Sequence, residues 1–306
     1  MSDGGRSGVE GGAGARRRAP RHAWGRERRL AFIEFRLLWE GRVNRRDLQD
    51  FFGISAPQAS TDLQHYVEIQ GDGAAYDASA KAYVPTARFA PRLVPHEADG
   101  YLHELLARAS GFTDPESSFI AWMPPLGIVP MPHRTVRPRH LVDVLHGIRA
   151  GRALELRYQS TTQPEPTWRT ISPHALASDG LRWHVRAWCH ERRDFRDFVV
   201  GRILETGGTS ESPVRGDDDR LWHQWVTVAI GAHRQLPEGS RRAIEVDYGM
   251  TDGEVRIPVR AALLFYLFQR LGLPGSGWDA PPGVRQLELR NEGEIRDVME
   301  RVLPAD

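Results

Sequence analysis

The chain of 306 residues has a single cysteine, Cys189, so it forms no intrachain disulfide. It has a single lysine, Lys81, and carries the rest of its positive charge on arginine. No apolar run approaches the roughly 18 residues needed to span a bilayer, so no membrane partner is expected. The first residues are rich in Gly and Arg and lack the apolar stretch of a secretory signal. With one thiol and no such signal, a reducing, cytoplasmic location is expected. Phosphate-binding P-loops, GxSxG elbows, paired cysteines and HExxH are all missing. His184, His190 and Asp194 have a generic spacing rather than a nuclease signature, and no His/Cys/Asp/Glu cluster suits a metal. The expectation is therefore no catalytic residue, no metal and no cofactor.

What is present is a folded composition, 40% hydrophobic and 26% charged, long enough for two or three domains. Charge is uneven. Residues 1–95 hold 15 Lys/Arg against 11 Asp/Glu, residues 96–204 hold 14 against 12, and residues 205–306 hold 12 against 17. A basic front and an acidic back suit a protein whose first part meets a polyanion.

Residues 1–22, including Arg16-Arg17-Arg18, bury too little apolar surface to order and read as a disordered tail. From Glu27 the pattern is helical, with Leu30, Ile33, Leu37 and Leu38 in a stripe widened by Phe32, Phe35 and Trp39, and Gly41 as its stop. Asn44 reads as the N-cap of a second helix with Leu48, Phe51 and Phe52 inward. Gly53 breaks it, and Ser55 caps a third helix with Pro57 in its first turn. Ala59, Leu63, Tyr66 and Val67 form that helix's buried stripe. "AAYDASAKAYVP" then reads as a β-wing. Residues 23–95 are thus expected to be a winged helix-turn-helix DNA-binding domain. Gln58, Ser60, Thr61 and Gln64 lie on the outward front of the third helix, where side chains meet base edges. Arg45 and Arg46 suit phosphates, and Ser55 stands at the helix start beside them.

Residues 96–136 read as a helix followed by a Pro-rich linker with some strand character, and 138–150 as a helix sharing Leu141, Val144, Leu145 and Ile148 on one face. "ALELRYQS", "WRTISPHALA", "LRWHVRAWC" and "DFRDFVVGRI" are successive strands, expected to form a bent antiparallel sheet or small barrel. One of them sets Arg182, His184 and Arg186 against Leu181, Trp183, Val185 and Ala187. With Tyr158, Ser160, Arg169, His174, Arg196 and Arg202, this makes a cationic surface suited to a phosphate or nucleotide. The competing reading is local ion pairing with Asp194, Asp197, Glu155 and Glu191. Residues 207–220 read as a linker. In 221–306, "LWHQWVTVAI" and "RRAIEVDYG" read as extended, "VRAALLFYLFQRLG" as a buried helix, and "VRQLELR" with a closing helix completes a small α+β domain.

The strand segment resembles the WYL domain of bacterial transcription regulators, on Tyr158-x-Ser160, Arg169-x-x-Ser172-Pro173-His174, Asp179-Gly180 and Phe198-x-x-x-Arg202. The namesake tripeptide falls on Trp183-His184-Val185, keeping its Trp. The domain order resembles repressors of the BrxR and CapW type that sit beside BREX and CBASS phage-defence operons. That resemblance implies an α+β multidomain fold: an N-terminal winged helix-turn-helix, a central Sm-like β-barrel over 137–206 and a C-terminal dimerisation domain over 221–306. It implies a homodimer on an inverted-repeat operator, with a nucleotide or nucleic-acid effector in the WYL domain. Tyr158, Ser160, His174, Arg186 and Arg202 would hold that effector first, with Arg169, His184 and Arg196 next. A nucleic-acid-processing enzyme using the same cleft and a WYL-type activator stand as alternatives.

Overall fold

The computed structural model describes residues 25–132, 134–273 and 284–303. The expected tail, with Arg16-Arg17-Arg18, lies outside them. The chain divides into two compact units, 1–131 and 132–306.

In the first unit, α1 (Arg26–Glu40) ends on Gly41 at φ 70°. Helix α2 (Arg45–Phe52) begins with a capping box: Asn44 accepts from the backbone of Arg46 and Asp47, and Asp47 accepts from the backbone of Asn44. Such a cap is worth about 1 kcal/mol. Gly53, at φ 69°, makes the left-handed turn that α3 (Ala56–Gln70) needs to start at Ser55. The wing pairs β1 (Ala74–Asp77) with β2 (Ala82–Pro85), antiparallel. Asp77 closes its turn by accepting from the backbone of Ser79 and Ala80.

Leu48, Ala59, Leu63 and Tyr66 are buried as their spacing predicts. Helix α1 departs from its one-faced pattern: residues 32–37 are all buried, including Glu34 and Arg36. Two later segments cover its polar face. The backbone N–H groups of Arg92, Leu93 and Val94 all donate to Glu34, which also accepts from Tyr66 and Gln70. After α4 (Ala98–Ala109), the backbone N–H groups of Ala121 and Trp122 donate to Glu40. The expected strand character of 111–132 is not found; that stretch is held by these side chains instead.

In the second unit, α5 (Pro138–Ala150) packs Val144 against a five-stranded antiparallel sheet of β3 (Arg152–Tyr158), β4 (Thr167–Ser178), β5 (Trp183–Cys189), β6 (Asp194–Val199) and β7 (Ile203–Glu211), in the order β6-β5-β4-β3-β7. Leu141 and Ile148 join this contact, whereas Leu145 is exposed. Among the described residues no pairing joins β6 to β7, so the ladder is open where a closed barrel is expected. Strand β7 runs five residues into the expected linker, pairing Ser210 with Ala153 and Glu211 with Arg152. The exposed edge of β3 supplies that ladder, which outweighs the weak strand propensity of Gly207-Gly208.

The C-terminal part has a short helix α6 (Arg220–His223), then β8 (Trp225–Ala232), α7 (Glu238–Asp247), β9 (Val255–Arg260), α8 (Leu264–Leu271), β10 (Leu287–Leu289) and α9 (Glu292–Val302). Its sheet order is β10-β8-β9. Residues 241–247, expected to be extended, are helical. Their alternating Ile244 and Val246 mimic a strand, but only Ile244 enters the core, and Val246 is 77% exposed.

Candidate functional site

Two surfaces hold the residues singled out from sequence. The first is on the winged helix. Arg45 and Arg46 are exposed in the first turn of α2, Arg46 beside Asp50 at 3.4 Å. With Ser60 and Gln64 of α3 they line a groove of about 630 Å³ that the wing completes through Tyr76, Lys81 and Tyr83. Lys81, at φ 51°, and the two tyrosines were not singled out; the available signal was their place in the wing, Lys81 in its turn and Tyr76 paired with Tyr83 on its strands. Gln58 and Thr61 are exposed on α3 but do not line the groove. Gln58 donates to Asp62, a fully buried carboxylate that also receives Arg29 at 2.6 Å, and Thr61 donates to the carbonyl of Pro57. The Ser55 hydroxyl accepts from the Gln58 backbone and so serves as a cap.

The second surface is on the β3–β7 sheet. Strand β5 has no solvent face from 184 to 187. Val185 and Ala187 lie in the sheet core, while His184 and Arg186 point into residues of the C-terminal part. Arg186, 4% exposed, donates Nε and Nη2 to Asp219 at 2.7 and 3.1 Å and Nη1 to Asp197 at 3.4 Å. Asp197 in turn accepts from the hydroxyl of Tyr266 on α8, at 2.9 Å. Burial pushes the Asp219 carboxyl up, but hydrogen bonds from His174 and Arg186 and the Arg186 charge outweigh this and hold it lowered to about 2. Burial and the Asp197 charge push the Tyr266 phenol up, keeping it protonated.

His174 reaches Asp219 because it is the unpaired residue of a β-bulge between Pro173 and Ala175. A bulge re-aims one side chain while the rest of the ladder keeps its alternation. The His174 ring stands edge-on to Phe195 and Trp222 and lines a separate hollow with Ser172 and Ser212. His184 bonds Asp179 at 3.1 Å and packs at a tilt against Tyr266, ring centroids 4.8 Å apart. Burial raises the Asp179 carboxyl, but His184, the Leu181 and Arg182 backbone and the Arg182 side chain lower it to about 2. Neither histidine lines the main cavity.

The other six expected ligand residues do. Tyr158, Ser160, Arg169, Arg186, Arg196 and Arg202 all line one cavity of about 490 Å³, within the 300–1,000 Å³ range of small-molecule sites. Its far wall comes from the C-terminal part, including Phe265, Tyr266 and Arg301. These were not singled out, because only the tertiary fold brings them to the sheet. The guanidiniums differ in state. Arg186 is engaged by two carboxylates, and Arg196 lies 3.8 Å from Asp194 with both exposed. Arg169 donates to the Gln163 amide oxygen, and its Nε is buried without a partner. Arg202 has no side-chain partner among the described residues.

Three segments match family models: residues 25–107 the BrxR transcriptional regulator winged helix-turn-helix domain, 139–206 the WYL domain, and 225–295 the BrxR transcriptional regulator C-terminal dimerization domain. Relatives named DNA-binding transcriptional repressor CapW align almost end to end. That of Stenotrophomonas maltophilia is 42% identical over 90% of this chain and 93% of its own. The chain belongs to the CapW family. CapW of Escherichia coli strain KTE188 is 40% identical over 89% of this chain and 91% of its own, and that of Pseudomonas aeruginosa 40% over 90% and 93%. Two of the three models matched by this CapW-family chain are described as domains of a transcriptional regulator, and the CapW relatives are named repressors. Among solved structures the chain is similar to proteasome accessory factor B/C of Arthrobacter aurescens, at 18% identity and a TM-score of 0.25. It covers 98% of this chain but spans about half the length of that protein, and no argument rests on it.

Proposed function

We propose that the protein is a homodimeric transcriptional repressor whose hold on operator DNA is set by a nucleotide or nucleic-acid ligand in the cavity beside Arg169 and Arg202. The winged helix would read one half-site through α3, with Arg45, Arg46 and Lys81 on phosphates. Ser60 and Gln64, on the groove, are the first candidates for base edges, with Gln58 and Thr61 on the outer row. Two copies joined through residues 225–295 would read an inverted repeat, with half-sites about 34–36 Å apart or a multiple of that. The regulated genes would be a phage-defence operon of BREX or CBASS type, and the central sheet an Sm-like fold left open between β6 and β7. Tyr158, Ser160, Arg169, Arg196 and Arg202 would contact ligand, with Arg186, His174 and His184 fixing the frame.

What carries this reading is one cavity lined by six of the eight expected ligand residues, in a chain that also has a winged helix with an exposed third helix. A ligand shifts the DNA-bound population only if it binds one state more tightly than the other. The test is a gel-shift titration on the chain's own upstream DNA, with and without short oligonucleotides. Binding there, and its change by ligand, are expected. Equal binding to that DNA and to scrambled DNA would overturn the repressor reading; cleavage of the probe would favour a nucleic-acid-processing enzyme.

A further inference from the structure

The charges around the cavity do not cancel. Its lining holds Arg169, Arg186, Arg196, Arg202 and Arg301 against Asp194 and Asp197. Arg186 is held by Asp197 and Asp219, and Arg196 has Asp194 nearby. Three guanidiniums remain, Arg169, Arg202 and Arg301. None has a carboxylate within 4.0 Å among the described residues, and Arg169 is near enough to Glu191 to help lower that carboxyl. Arg301 donates Nε to the carbonyl of Asp297 and Nη2 to the amide oxygen of Gln224, both neutral acceptors. It sits on α9, far along the chain from the sheet that carries the other two.

Three positive groups converging on one hollow repel one another, and a low-dielectric wall strengthens that repulsion. Charge alone does not set the number of groups, since one phosphate carries about −1.5 to −2; the number of open guanidinium forks does. Guanidiniums match phosphate oxygens through paired N–H donors, so each of the three can take a separate group.

We propose, resting on the ligand reading above, that Arg301 is a third ligand-binding guanidinium and that the cavity selects anions carrying two or more phosphate groups. Such a ligand spans the β3–β7 sheet and α9. It therefore ties the sheet to α9, whose first turn belongs to the segment 225–295 matched as dimerization domain, and its arrival is felt there without a separate relay. Oligonucleotides and free polyphosphates share this chemistry.

The test is calorimetric titration of the full chain with inorganic phosphate, inorganic triphosphate and a 5′-phosphorylated thymidine trinucleotide. At least one of the two multiply charged probes should bind ten-fold or more tighter than phosphate; which one does separates the sources. Arg301→Ala should weaken that probe ten-fold or more, with a shallower salt dependence, since fewer counterions are released. Arg301→Lys should recover part of the loss, and thermal melts of both variants check folding. If Arg202→Ala weakens binding while Arg301→Ala binds as the parent does, the ligand reading stands and the role of α9 is overturned. If the parent binds none of the three probes, the ligand reading falls and this inference with it.

Discussion

Asp219 takes two hydrogen bonds from the guanidinium of Arg186, at 2.7 and 3.1 Å, and a third contact from His174 at 3.0 Å. The same carboxylate accepts from the backbone N–H of Trp222, starting α6 and with it the C-terminal part. A side chain of the WYL sheet therefore secures the entry to the next domain.

Removing one partner of a buried pair leaves the other charged and unsolvated, at about 3–5 kcal/mol. Arg186→Ala should accordingly destabilise the second unit by an amount in that range, read from its urea unfolding midpoint and slope. Arg202→Ala, with no partner to strand, should stay within about 0.5 kcal/mol of the parent while losing ligand response. Equal midpoints for the two variants would show that Arg186 is not a structural tie.

Acid should undo the same contact in a defined window. Asp219 and Asp179 have folded-state values lowered to about 2, below the ordinary carboxylate value of 3.8. Their contribution is complete above the unfolded value and disappears as pH falls through the folded one. Asp219 alone accounts for something on the order of 2 kcal/mol. Stability of the parent should fall between about pH 4 and pH 2, and Asp219→Asn should flatten that slope. A variant profile parallel to the parent's would refute the assignment.

On the winged helix, Gln64→Ala or Thr61→Ala should cost roughly 1–3 kcal/mol at operator DNA if the side chain meets a base edge, and less on unrelated DNA. Arg45→Ala should weaken both alike and reduce the salt slope by about one. Footprints of unchanged extent and affinity for every α3 variant would reject α3 as the reader.

Glu34 offers a prediction independent of DNA. Its carboxylate takes three backbone N–H groups from residues 92–94 besides Tyr66 and Gln70. Glu34→Ala removes the acceptor of the buried Tyr66 hydroxyl and of three part-buried backbone N–H groups, and an unsatisfied buried donor costs about 1–3 kcal/mol. The expected outcome is loss of cooperative melting of the first unit, with Glu34→Gln intermediate. A wild-type melt for Glu34→Ala would mean water replaces the carboxylate.

The helix-turn-helix was legible because its signals are local: Asn44, Gly53, Ser55 and Pro57 each act on backbone within a turn. The strands from 153 to 203 were legible from alternation. Three features were not. The helix at 241–247 carries one buried side chain, so its pattern has no face to read. The aim of His174 depends on a bulge that shifts parity by one residue, whereas its grouping with the ligand residues came from the polar content of the strands and the WYL resemblance. Arg186 and His184 were grouped with the ligand residues from their side of the strand. Their acids were partly foreseen in Asp197, but Asp219 lies at the end of the expected linker and Tyr266 beyond it, where spacing carries no information about contact.

The closed-in stretch 184–187 also bears on how such a regulator diversifies. A change at 184 or 186 has to be matched at 179, 197, 219 or 266, because both sides of the strand are already spoken for. Positions 169 and 202 answer to no such committee. New effectors should therefore be acquired by single exchanges at those rim arginines, while the strand beneath drifts only in concerted sets.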